Sequence, residues 1–93
     1  MIVGVLTIDL TVPEAQSLKD KRRIVRSLKD GLRNRFNVSV AEVEYQDMPR
    51  RCRLGIATVS CESRVLHARM DKMVELVRRT AGASLVDYQR EFL

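Results

Sequence analysis

The chain has 93 residues, 45% hydrophobic and 31% charged, which fits one globular domain over residues 1–93 and excludes both a disordered segment and two independent cores. Seventeen Lys and Arg against twelve Asp and Glu leave a net charge of +5, a balance that favours nucleic acid or another anionic surface as partner. The longest uncharged apolar-rich run, Met1 to Ile8, is far too short to span a bilayer, and the N-terminus lacks a basic leader or small-residue cleavage site, so a cytoplasmic protein without membrane association is expected.

"MIVGVLTIDL" opens the chain and is rich in β-branched residues, the pattern of a strand. Ile2, Leu6, Ile8 and Leu10 share one face with Gly4, and Val3, Val5 and Thr7 share the other. Two apolar faces predict a central strand with cover on each side, ended before Pro13.

"SLKDKRRIVRSLKDGLRNRF", residues 17 to 36, carries eight Lys or Arg and two acids, a local charge of +6. On a wheel of about 100° per residue, Leu18, Phe36, Val25, Leu32, Leu28 and Ile24 fill an arc of about 120°, a core-facing stripe. Lys19, Arg22, Arg23, Arg26, Lys29 and Arg33 fill the adjoining arc of about 120°, interrupted by Asp30. The bases therefore form a ridge along one flank of a helix. Ser17 and Asp20 fit a capping pattern, which puts Lys19, Lys21 and Arg22 in the first turn. Cations there oppose the helix dipole, whereas an anion-binding helix start combines free N–H groups with nearby bases. A start at Glu14 would weaken that reasoning. Two readings of the ridge stand: a solvated face, or a surface that meets an anionic partner.

Residues 37 to 45, "NVSVAEVEY", read as a second strand in which Val38 and Val40 are in one phase and Ala41, Val43 and Tyr45 in the other. The slip predicts a bulge near Val40 and Ala41. "CRLGIATVS", residues 52 to 60, is a third strand. Residues 63 to 81 form a second amphipathic helix with the stripe Leu66, Met70, Met73, Val74 and Val77, capped at Ser63 and stopped at Gly82. Residues 84 to 92 form a weaker fourth strand. The order βαββαβ predicts an α+β, ferredoxin-like domain: two helices packed on one face of a four-stranded antiparallel sheet. The opposite sheet face stays open, and an apolar open face predicts a homodimer or another partner there.

Catalytic signatures are sparse. His67 and Asp71 lie one turn apart on the polar side of the second helix without a recognisable nucleophile, and read as a solvated pair. Cys52 and Cys61, nine residues apart, read as reduced thiols rather than a disulfide or metal site. No phosphate-binding loop or paired-carboxylate site is visible, so no catalytic residue, metal or cofactor is assigned and no enzyme is expected. The central strands "VGVLTI" and "RLGIATV" contain no aromatic, which disfavours base stacking on the sheet. RNA binding would then run through phosphate contacts from the helices, salt-sensitive and poorly sequence-selective.

Over "LKDKRRIVRSLKDGLRNRFNVSVAEVEYQD", residues 18 to 47, the chain resembles the YlxP-like family of small bacterial proteins, a domain of unknown function. The resemblance implies a ferredoxin-like fold in a bacterial cytosolic protein and transfers no activity or site residue. Relatives are often encoded beside translation-initiation and ribosome-maturation factors, which implies an association with translation. Relatives often carry a Trp after the second strand and an Asn-Asp-like pair after the third, where this chain has "YQDMPRR" and "SCES". Three expectations follow, none enzymatic. The first is a dimeric protein docking on structured RNA, ribosomal RNA included, through Lys19, Arg22, Arg23, Arg26, Lys29 and Arg33. The second is a homodimeric protein-interaction module using the open sheet face, its basic helix meeting an acidic protein. The third, least supported, is a small-molecule regulatory domain.

Overall fold

The structure, a computed structural model, describes residues 1–93, with six elements in chain order. They are β1 (Ile2–Thr11), α1 (Leu18–Arg35), β2 (Ser39–Glu44), β3 (Arg51–Ser60), α2 (Ser63–Arg79) and β4 (Ser84–Phe92). The sheet order is β2-β3-β1-β4, with β1 antiparallel to both β3 and β4. This is the ferredoxin-like plan: each helix carries the chain across one intervening strand, and both helices settle on the same face.

Alternation decides which β1 residues lie under the helices. Leu6, Ile8 and Leu10 are buried, and so are their β3 partners Ile56, Leu54 and Cys52. Val25, Leu28 and Leu32 descend from α1, and Met70, Met73, Val74 and Val77 from α2, into the same contiguous core. Burying one such Leu or Ile stabilises the fold by about 1.5–3 kcal/mol. At the end of α2, Gly82 adopts φ +86°, the left-handed conformation that a helix stop favours in glycine.

Two local expectations are corrected. The second helix starts at Ser63 as expected, but its N-cap is Glu62 rather than Ser63, with no side-chain cap hydrogen bond, and it ends at Arg79 rather than at residue 81. The β2 irregularity lies between Glu42 and Glu44, not at Val40 and Ala41. Val40 and Glu42 both face the helices, so the strand keeps its alternation through Ala41. The sequence pattern misplaced the bulge because a glutamate at 42 looks like an outward residue.

The face away from the helices has two halves. Around Val3 and Val5 it is largely apolar, with Ala57, Val59 and Leu93 alongside and Glu91 opposite Val5 on β4, and Val43 sits over Gly55. A Cβ on Gly55 would approach Val43 to 2.9 Å, so glycine lets the bulge residue lie down on the sheet. Val43 is 50% and Val59 45% exposed, so this half is uncovered within the chain. The other half is charged. Arg53 donates to Asp9 (Nε to Oδ1, 2.6 Å), also meets Glu44, and lies with Arg51 over the Tyr45 ring.

Candidate nucleic-acid interface

The basic helix is set in register by its first residues. Ser17 Oγ accepts from the Asp20 N–H at 3.2 Å, and Asp20 Oδ2 accepts from the Gln16 N–H at 3.0 Å. The helix therefore starts at Leu18 and not at Glu14, which puts Lys19 and Lys21 in its first turn and Arg22 just beyond it. Exposed cations at that end cost about 0.3–1 kcal/mol each against the macrodipole.

The six ridge residues lie along one flank, as the wheel predicted. Lys19, Arg22, Arg23, Arg26 and Arg33 are exposed and Lys29 is half-buried. Lys19, Arg22, Arg23 and Arg26 line a shallow depression with no hydrophobic residue in its wall; Asp30 is its only acid. No carboxylate lies within 4.0 Å of Lys19, Arg22, Arg23, Arg26 or Lys29. Arg33 differs from these five. Its Nη2 donates to the Val40 carbonyl at 2.9 Å, and its Nη1 is 4.0 Å from Asp30, so it fastens α1 to β2. The chain's other ion pairs engage Lys21, Arg53, Arg64 and Arg90, so the outer flank of α1 is a cationic strip whose acids are Asp30 within it and Glu42 at the hollow shared with Arg22, Arg26 and Lys29.

Lys21 belongs to the opposite face. It is fully buried, and its Nζ donates to Glu42 Oε2 at 2.8 Å and to the carbonyls of Tyr45, Arg51 and Gln46 at 2.8, 3.2 and 3.3 Å. Three N–H groups serve four acceptors, so one is shared; charge on the ammonium and on Glu42 strengthens the set. The lysine thus ties the β2–β3 connection to the start of α1. Glu42 faces inward to meet it, which accounts for the misplaced bulge. Tyr45, which supplies one carbonyl, holds φ +65°, an uncommon conformation for a non-glycine residue. Sequence reasoning placed Lys21 only in the first turn. A signal was present: on the wheel it falls at about 300°, between Leu28 and Leu32, in the middle of the apolar arc.

The remaining reactive side chains are engaged in structure. Arg90 reaches from β4 to α2, where it donates to Asp71 and approaches His67 Nδ1 at 3.1 Å. The His67 ring packs on Phe92, with ring centres 4.5 Å apart. His67 and Asp71 thus share an arginine rather than forming part of a triad. Cys52 is buried and Cys61 exposed, and neither is in a disulfide. Burial, reinforced by the negative charge of Glu42, pushes the Cys52 thiol up to about 12. Its hydrogen bond to Asp9 holds the Arg53 guanidinium even more firmly protonated, against a smaller opposing desolvation. No three His, Cys, Asp or Glu side chains converge as metal ligands, and neither helix is long and apolar enough to cross a membrane. The sheet surface does carry one aromatic, Tyr45, contributed by the β2–β3 connection, but the Arg51 guanidinium sits 4.0 Å above its ring.

Comparison with known proteins places this geometry. A de novo designed protein with a ferredoxin fold, LFR1 1, solved by solution NMR, superposes with a TM-score of 0.56 over 99% of this chain and 85% of its own; at 15% identity the likeness concerns the fold alone. The uncharacterized protein YlxP of Bacillus subtilis (strain 168) is 39% identical over 59 residues, covering 63% of this chain and 64% of that protein. Residues 3–90 match the family described as "Protein of unknown function (DUF503)". With its βαββαβ fold, the chain belongs to that DUF503 family.

Proposed function

We propose that this protein is a non-enzymatic binding protein, associated with translation or ribosome maturation, whose first helix docks on the phosphates of structured RNA. One observation carries the reading: five bases on one flank of α1, Lys19, Arg22, Arg23, Arg26 and Lys29, have no carboxylate within 4.0 Å. One of the five, Lys19, stands in the first turn of the helix, where it opposes the dipole, and Arg22 follows directly after that turn. A flank selected for helix stability alone would carry acids at that end and i,i+4 partners along its length. A partner that brings its own negative charge relieves both deficits. The absence of a free aromatic on the sheet fits recognition through phosphates rather than through bases.

The test is co-sedimentation with ribosomal subunits across a salt series. Contacts to about four phosphates contribute about −3 to −4 to the slope of log affinity against log salt. Binding indifferent to salt, or undiminished by Arg22→Glu with Arg26→Glu and Arg33→Glu, overturns the reading. A second reading has its own support in the uncovered Val43 and Val59 on the sheet. In that reading the face pairs with a second copy, and α1 meets an acidic protein. Val59→Glu then converts a dimer to a monomer in analytical ultracentrifugation, and nuclease treatment leaves any captured partner in place.

A further inference from the structure

We infer, resting on the RNA reading above, that the phosphate surface has two tracks and takes an RNA duplex. The α1 ridge holds one strand, and Arg35 and Arg79, which flank the groove between α1 and α2, hold the other.

The two helices meet where Gly31 faces Leu76: a Cβ on Gly31 would lie 3.8 Å from the Leu76 side chain. The groove above that contact is lined by Ser27, Gly31, Arg35, Leu76, Arg79 and Thr80. It contains no acid, and no carboxylate lies within 4.0 Å of Arg35 or Arg79. Ser27 and Gly31 also line the depression on the ridge side of α1, so the two hollows adjoin across the top of that helix. Between the tracks lie the short side chains of Ser27, Gly31 and Asn34, with Asp30 beside them in the ridge-side hollow. Packed helices have axes about 8–10 Å apart, so Arg79 on α2 lies about a helix width from the α1 ridge. Two lines of positive charge flanking a low middle fit the wide, shallow minor groove of an A-form duplex, whose rims are phosphates and whose floor is read by shape.

Arg79 is not occupied in ending its helix. The Thr80 hydroxyl donates to the Leu76 carbonyl at 2.8 Å, and Gly82 makes the turn. A single strand finds little here, since neither track offers an aromatic for its bases. Tyr88 and Phe92 pack against the core, and Tyr45 lies beneath arginines.

The experiment uses the full chain, a blunt RNA duplex of about 20 base pairs and one of its strands alone, with fluorescence anisotropy over a salt series. Arg35→Ala with Arg79→Ala changes exposed side chains, and thermal unfolding verifies the fold. The variant lowers the duplex slope by about 2, and its affinity at 0.1 M salt by about 60-fold, while single-strand binding barely moves. If the variant binds duplex like the wild type while Arg22→Glu with Arg26→Glu abolishes binding, the second track is refuted and the ridge reading survives. If the ridge variant binds as well as the wild type, the ridge reading itself fails. Equal losses on duplex and single strand refute the duplex assignment. A variant that loses polyglutamate binding but keeps duplex binding would show that the groove meets acidic protein, which also overturns the proposal.

Discussion

Lys19 and Lys21 stand two residues apart in the same turn of α1 and meet opposite environments. Lys19 is exposed, with no carboxylate within 4.0 Å, whereas Lys21 is fully buried among Glu42 and three carbonyls. The 200° that separates them on the helix turns one charge toward solvent and the other into the core. Positive charge in a basic helix is therefore not one property. On the inner face it is a structural tie whose removal leaves a partly buried carboxylate unpaired; on the outer face it adds little to the fold and is available to a ligand.

The inner face offers the largest effect. Lys21→Met leaves Glu42 and the carbonyls without their donor, and urea denaturation registers a loss of about 3–5 kcal/mol. Adding Glu42→Leu recovers part of it, because removing both charges avoids the unpaired, partly buried carboxylate. A loss below about 1 kcal/mol for the single change would mean the inner lysine is no more structural than an outer one.

Cys52 sharpens the same contrast through pH. Its thiol sits beside Glu42 and is raised from 9.0 to about 12, so below pH 9 it is neutral in folded and unfolded chains alike. Between those values the unfolded chain ionises first, and stability falls by about 1.4 kcal/mol per pH unit. The difference between wild type and Cys52→Ala in unfolding at pH 8 to 11 isolates this slope. A pH-independent difference would break the account. Under native conditions a thiol reagent modifies Cys61 and spares Cys52.

The cap that orients both faces comes next. Ser17→Ala removes the acceptor of the Asp20 N–H and lowers stability by about 1 kcal/mol, read in the denaturation midpoint. The smallest effect carries the opposite sign. Lys19→Glu, in the first turn, raises stability by about 0.3–1 kcal/mol, and Arg22→Glu, just past it, by less, while both weaken RNA binding. If these substitutions destabilise, the outer bases serve the fold after all.

The sequence made most of this architecture legible. Period-2 alternation in residues 2–10 and apolar stripes at helical spacing in two segments suffice for βαββαβ, and the six ridge positions follow from the same wheel. These are local regularities, set by backbone geometry and readable without knowing any partner. Lys21, Glu42 and the bulge were not legible in the same way. Each is polar where the local pattern expects apolar or outward, and each makes sense only beside another residue 21 or more positions away. The Arg33 link to Val40 and the Arg90 link to Asp71, 7 and 19 positions apart, likewise depend on how separate elements pack.

The division has a physical basis. A helix or strand decides by its own repeat which side chains share a face, so charge segregation along α1 is present in the order of its residues. Whether a given charge on that helix is solvated, paired or buried depends on which distant carbonyls and carboxylates the fold delivers to it. Only the packed sheet and helices could separate the lysine that holds the structure together from the cations left free along the outer flank.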